Sequence, residues 1–83
     1  MSLEVVKNGA NTVIGVKQTL KAVENGKAKM VLVAKDADPH ITNPIKKTCD
    51  ENAVVFKEVE SMVELGKACG IHVGASAVAV LND

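Results

Sequence analysis

The sequence has little aromatic character: Phe56 is the one ring among 83 residues, and there is no Tyr or Trp. Proteins that bind single-stranded nucleic acid by base stacking, including those with an RNA-recognition-motif sheet, use several exposed rings. The composition therefore argues against that mode of binding. Arginine is absent as well, so all ten basic residues are Lys. Lysine interacts with a phosphate as a point charge, because it lacks the planar guanidinium group with which arginine binds two acceptors at once.

Metal-ligating patterns are also scarce. Cys49 and Cys69 are far apart and form no C-x-x-C pair, so we predict neither a zinc site nor a disulfide and expect both to be small buried residues. Asp36, Asp38 and His40 alternate along one loop, but this spacing is weak for a metal and Asp favours turns. We interpret them as turn residues and predict no metal and no cofactor.

Long apolar runs and catalytic motifs are missing too. No apolar run approaches 18 residues, and no segment has the pattern of a signal peptide. Ser61 fits a helix cap and lies in no Gly-x-Ser-x-Gly elbow, so no catalytic residue is predicted. We expect a soluble, cytoplasmic, monomeric protein that is not an enzyme, with residues 1–83 forming one domain.

Charge is distributed unevenly along the chain, although the formal net charge is zero. Residues 1–35 hold six Lys and two acids, a balance of +4, whereas residues 36–83 hold four Lys and eight acids, a balance of −4. A fold that collects the basic half on one face would create a local patch that attracts nucleic acid. The acidic half permits a different function, an adaptor that docks a basic protein.

The segment from Ile14 to Gly26 has the periodicity of an amphipathic helix. Val16, Leu20 and Val23 share one stripe, and Lys17, Gln18 and Lys21 share the opposite one. The amino end of a helix carries partial positive charge, which suits phosphate. An ordinary solvated helix face would have the same composition, so this stripe alone does not distinguish an RNA-binding face from a solvated one.

The remaining pattern alternates helices of about ten residues with apolar strands, in the order α-β-α-β-α-β-α-β. The strands lack polar alternation, which indicates that both faces of the sheet are covered. We therefore predict an α/β fold, a three-layer α/β/α sandwich with a small mixed sheet of about four strands. The expected helices are 3–8, 16–24, 42–51 and 62–69, and the expected strands are 12–14, 29–34, 53–57 and 76–81. For the helix 42–51 we expect Thr42 or Asn43 as the cap, Pro44 in the first turn, and an inward stripe of Ile41, Ile45 and Cys49.

Three segments, in this order along the chain, resemble the ribosomal protein family L-seven-Ae/L-thirty-e, and most closely its small bacterial YbxF-like members. The resemblance implies a ribosomal or ribosome-associated protein that binds kink-turn RNA, in which sheared G·A pairs adjoin a sharp backbone bend; the RNA could equally be a riboswitch. The segments are 14–21 (IGVKQTLK), 33–39 (VAKDADP) and 65–75 (LGKACGIHVGA).

The resemblance also implies roles for residues at the start of the amphipathic helix. Lys17 and Gln18 would contact guanine edges of the G·A pairs, and Lys21 would contact a phosphate or a guanine. Gly15 would let the RNA approach the backbone closely. Archaeal members commonly carry Asn-Glu in place of Lys17-Gln18, so their detailed contacts cannot be transferred to this chain.

A second group of implied contacts lies in loops. Ile71, His72 and Val73 match the apolar loop that packs against nucleotides extruded from the kink, and Lys35 matches a position near the RNA backbone. Ile71 and Val73 are apolar enough to be core residues instead. His72 replaces a common acid, and because histidine gains charge in mildly acid solution, we expect RNA binding to tighten modestly there.

Overall fold

A computed structural model describes residues 11–82. The expected helix 3–8 lies outside this range, and the other seven elements are present. The elements are β1 (Thr12–Ile14), α1 (Val16–Glu24), β2 (Ala28–Ala34), α2 (Pro39–Glu51), β3 (Val55–Val59), α3 (Met62–Ala68) and β4 (Ala77–Leu81). Strands β1, β2 and β4 and helices α1 and α3 match the expected ranges to within one residue at each end, whereas α2 begins earlier than expected and β3 lies later.

The four strands form one mixed sheet in the order β1-β4-β2-β3. Strand β4 is antiparallel to both β1 and β2, and β2 is parallel to β3. The sheet is covered on both faces, which explains why β2 and β4 do not alternate: residues 31–34 and 77–80 are all buried. The prediction of a small mixed sheet is confirmed.

Two apolar clusters, one on each face of the sheet, give the fold its three layers. Helices α1 and α2 cover one face, where Val23, Ile45 and Cys49 pack against Val31 and Val33. Helix α3 covers the other face, where Leu65 packs with residues of the opposite side of β2 and β4. None of the helices described between residues 11 and 82 has the length and apolarity needed to span a lipid bilayer.

The inward stripe of α1 differs in part from the expected one. Val23 is fully buried as expected, but Val16 and Leu20 are only partly buried, and Thr19 and Ala22 face the sheet beside Val23. The hydroxyl of Thr19 is buried without a hydrogen-bond partner within the described chain. The helix is rotated slightly toward its small residues, because these allow a close approach to the sheet.

Helix α2 begins three residues earlier than expected. The carboxylate of Asp38 accepts a hydrogen bond of 2.9 Å from the backbone N–H of His40, and Pro39 occupies the first helical position. The expectation that Thr42 or Asn43 caps the helix is therefore wrong, as is the inward position of Ile41, which is 36% exposed. Pro44 lies inside the helix rather than in its first turn.

Strand β3 occupies residues 55–59 rather than 53–57. Ala53 has a φ of +57°, the left-handed conformation that reverses the chain after a helix. The N–H of Val54 donates to the carbonyl of Cys49 at 2.9 Å and completes this helix ending. Extended backbone can begin only after it, so the strand is displaced by two residues.

Candidate nucleic-acid interface

The segments that were predicted from the sequence to contact RNA lie at one end of the sheet. Strands β1, β2 and β3 end there and β4 begins there. Gly15 N–H donates to the carbonyl of Ala77 at 2.9 Å, and Ala34 N–H donates to the carbonyl of Ser76 at 3.0 Å. The first residues of β4 therefore join the start of α1 to the end of β2. We call this end of the sheet, where residues 14–15, 34–35, 59–60 and 76–77 lie, the binding edge.

Helix α1 begins at the binding edge, directly after β1. Lys17, Gln18 and Lys21 are all exposed. Gly15 is the residue before the helix, and its φ of +111° strongly favours glycine there. Because glycine has no capping side chain, the N–H groups of residues 16–18 have no side-chain cap. These N–H groups and the exposed Lys17 and Lys21 offer a surface to which a phosphate or a base acceptor could bind.

The loop at residues 71–74 lies on the other side of the binding edge, and its apolar residues divide between core and solvent. Ile71 is partly buried: it packs against the cluster under α3 and also lines the cleft beside Val73, so it lies between the two expected positions. Val73 is 71% exposed and His72 is exposed beside it. The loop turns inward at Ile71 because its N–H donates to the carbonyl of Gly66 at 3.0 Å.

A shallow cleft of about 180 Å³ lies between this loop and α3. Val63, 58% exposed, and Lys67 form the helix side of the cleft, opposite His72 and Val73. Neither Val63 nor Lys67 is among the site residues predicted from the sequence. Val63 was detectable in principle, because it lies off the inward stripe of Met62 and Leu65 and has no core role.

Lys35 lies directly after β2 at the binding edge, where its N–H donates to the carbonyl of Val59 at 2.8 Å. Its amine forms an ion pair with the Glu60 carboxylate, Nζ to Oε1 3.3 Å, and the two side chains are 52% and 77% exposed. An exposed pair of this kind contributes little stability. The Lys35 amine is therefore accessible but partly neutralised.

Asp36 and Asp38 serve the backbone. Asp38 caps α2, and the Asp36 carboxylate accepts a 2.9 Å hydrogen bond from Met62 N–H at the start of α3. Within residues 11–82, no three His, Cys, Asp or Glu side chains are grouped so that they could hold a metal ion. Turn and cap chemistry accounts for these two residues.

Comparison with known proteins decides the family. The model of the ribosomal protein L7Ae/L30e/S12e/Gadd45 family matches residues 2–83, nearly the whole chain. The chain belongs to this family. It is the family that the three sequence segments resemble.

Individual relatives are similar over nearly the whole of this chain. The RNA-binding protein YbxF of Geobacillus stearothermophilus is 47% identical over 99% of this chain and 100% of that protein. The large ribosomal subunit protein eL8 of Haloquadratum walsbyi is 35% identical, over 98% of this chain and 68% of that one. The solved structure of the Giardia lamblia 15.5kD RNA binding protein superposes with a TM-score of 0.92 at 31% identity, covering 99% of this chain and 72% of that one.

The acidic residues that would form an adaptor surface lie in more than one group. Asp50 and Glu51 lie in the last turn of α2, before β3 begins, whereas Glu60 and Glu64 lie beyond the end of β3. The five residues of β3 separate the two groups by about 17 Å. Glu58 shares a groove with Lys46 and Lys57, so its surroundings are of mixed charge.

Both cysteines are free thiols within the apolar layers, as expected. Cys49 is fully buried under α2, and Cys69 is partly buried at the end of α3. Burial raises the pKa of Cys49 to about 11, with a further contribution from the neighbouring Asp50 carboxylate, and burial also raises the pKa of Cys69. Both thiols are therefore protonated at neutral pH and suited to packing.

Proposed function

We propose that this protein binds kink-turn RNA without catalysing a reaction, as a cytoplasmic monomer associated with the ribosome or with a structured regulatory RNA. The observation that carries the proposal is the arrangement at the binding edge. Lys17 and Gln18 are exposed on the first turn of α1, and the exposed Val73 lies in the loop that leads into the same edge. RNA specificity usually comes from such irregular elements, whose base edges are accessible.

Each part of this surface suits a different part of the bent RNA. Gln18 offers both a donor and an acceptor to the polar edges of G·A pairs, while Lys17 and Lys21 offer positive charge to phosphates. Val73 offers an apolar surface to an unstacked base, with His72 and the partly buried Ile71 around it. Gly15 permits close approach, and Lys35 extends the positive charge along the edge. Binding would shift the RNA population toward the bent form.

The names of the relatives agree with this function in outline, since they include RNA-binding proteins and a ribosomal protein. A net charge of zero is compatible with RNA binding. Charges farther away than a Debye length, about 8 Å at physiological salt, are largely screened, so the local charge governs the approach of RNA. The proposal specifies which RNA is bound and which residues contact it.

Titration with a kink-turn RNA, and with the same RNA after replacement of its G·A pairs, tests the proposal. The native protein is expected to prefer the intact kink-turn, and Lys17→Ala and Gln18→Ala are each expected to weaken that binding about tenfold. Loss of Lys17 should also reduce the slope of log affinity against log salt by about one unit. Lys46→Ala, which removes the same charge from the groove beside β3, is the matched control. Equal affinity for the two RNAs, or unchanged affinity in both α1 variants, would contradict the proposal.

A further inference from the structure

Asp36 links two loops that are distant in the sequence. It follows β2 at the binding edge, and its Oδ1 accepts a hydrogen bond of 2.9 Å from the N–H of Met62, the first residue of α3. That N–H has no partner within its own helix, so the carboxylate supplies one. Ser61, the residue before the helix, makes a separate cap, with its Oγ accepting from Glu64 N–H at 3.1 Å. Leu65 packs on β2 as well, but among the side-chain hydrogen bonds of residues 11–82 the Asp36 bond is the one that joins α3 to the segment after β2.

Met62 in turn holds the chain that follows the 71–74 loop. Its carbonyl accepts from Ala75 N–H at 3.0 Å, and its sulfur lies 3.5 Å from Ser76 Oγ. Gly74 lies so close that a methyl group on it would be 3.0 Å from Met62 Cβ. The positions of Gly74, Ala75 and Ser76 therefore depend on the position of Met62. Val73 directly precedes these three residues.

We propose that Asp36 is a positioning residue for RNA recognition: by holding the N–H of Met62 it fixes α3 and, through Met62, the orientation of the 71–74 loop. A carboxylate beside an RNA surface would otherwise repel phosphate, so its presence there calls for a compensating role. The inference rests on the proposed function in that Val73 is taken to contact the RNA. The placement of the loop by Asp36 is a property of the free protein and can be measured without RNA.

Hydrogen exchange in the free protein tests the placement directly. Asp36→Ala is expected to accelerate exchange of the Ala75 N–H about tenfold or more, because the carbonyl that it bonds is no longer held in place. Asp36→Asn keeps an acceptor oxygen and should restore slow exchange. Ser61→Ala removes the other cap of α3 without cutting the link to β2, and should leave Ala75 closer to native protection. Unchanged exchange in Asp36→Ala, or equal acceleration in Ser61→Ala, would overturn the placement.

Titration of kink-turn RNA then tests the role in recognition. Asp36→Ala is expected to weaken binding about fivefold to tenfold, with recovery in Asp36→Asn. When Asp36→Ala is combined with Val73→Ala, the RNA affinity should fall little further than in Val73→Ala alone, because both changes act on the same contact. Combined with Lys17→Ala on α1, Asp36→Ala should add its full effect. A loss that adds fully to that of Val73→Ala, or no recovery in Asp36→Asn, would overturn the role. Failure of the native protein to prefer the kink-turn would instead reject the proposed function and leave the exchange result standing.

Discussion

The carbonyl oxygen of Val73 lies directly against the Cα of Gly66, where a methyl group would overlap with it. Glycine inside a helix normally costs stability relative to alanine. Gly66 is nevertheless fitted to this position, because the loop that carries Val73 folds back onto α3. The contact sets how far the exposed Val73 side chain stands from the helix.

Gly66→Ala should therefore displace the 71–74 loop. We expect the free energy of unfolding to fall by about 1–3 kcal/mol, since the overlap outweighs the better helix propensity of alanine. Gly74→Ala should cost less, because its methyl group would stand 3.0 Å from Met62 Cβ. Denaturant unfolding measures both changes. A Gly66→Ala variant more stable than the native protein would show that the loop does not depend on this contact.

Thr19→Val is expected to stabilise the protein by about 1 kcal/mol, because it replaces a buried hydroxyl that has no partner in the described chain with a methyl group of similar shape. Thr19→Ser keeps the hydroxyl and loses the methyl group, so it should destabilise instead. Thermal unfolding of the two variants gives the comparison. Equal melting temperatures for Thr19→Val and the native protein would mean that the hydroxyl is satisfied in solution.

Ala53→Gly is expected to raise the free energy of unfolding by about 0.5–1 kcal/mol, since it relieves a side chain held at a φ of +57°. Ala68→Gly offers a matched control within α3, where glycine should cost about 1 kcal/mol. Opposite signs for the two substitutions are predicted in urea unfolding. The same sign for both would argue against strain at Ala53.

Alkaline solution should weaken the fold through Cys49. Its pKa in the folded protein is raised to about 11 from an ordinary value of 9.0, so the unfolded chain ionises first. The contribution of the neutral thiol to stability is complete below pH 9 and is lost as the pH rises toward 11. The stability difference between the native protein and Cys49→Ala should therefore narrow between pH 7.5 and pH 10.5. A constant difference across that range would contradict the predicted shift.

Glu60→Gln should tighten RNA binding about twofold to threefold at low salt, because it frees the Lys35 amine and removes a negative charge at the binding edge. The gain should fall in 0.5 M salt and be smaller when Lys35 is replaced by Ala. Glu51→Gln, at the far end of α2, is the control and should leave affinity unchanged. A gain of equal size in both glutamine variants would point to net charge rather than to Lys35.

Local signals predicted much of the fold correctly. The capping pattern from Ser61 to Glu64 located the start of α3, and the apolar runs located β2 and β4. The start of α2 was missed because Asp38-Pro39 and Thr42-Asn43 are both plausible beginnings, and Pro44 favoured the wrong one. The predicted range of β3 was two residues too early, because a left-handed Ala53 is rare and no sequence pattern predicts it.

The shared face of Lys17, Gln18 and Lys21 follows from the helical periodicity of the sequence, because residues three and four apart on a helix share a face wherever that helix packs. The inward turn at Ile71, the exposure of Val73 and the bond from Asp36 to Met62 depend instead on contacts between distant segments. Such contacts join residues that are close only after the helices have packed on the sheet. Periodicity along the chain carries no information about them, since their geometry depends on the distance between layers.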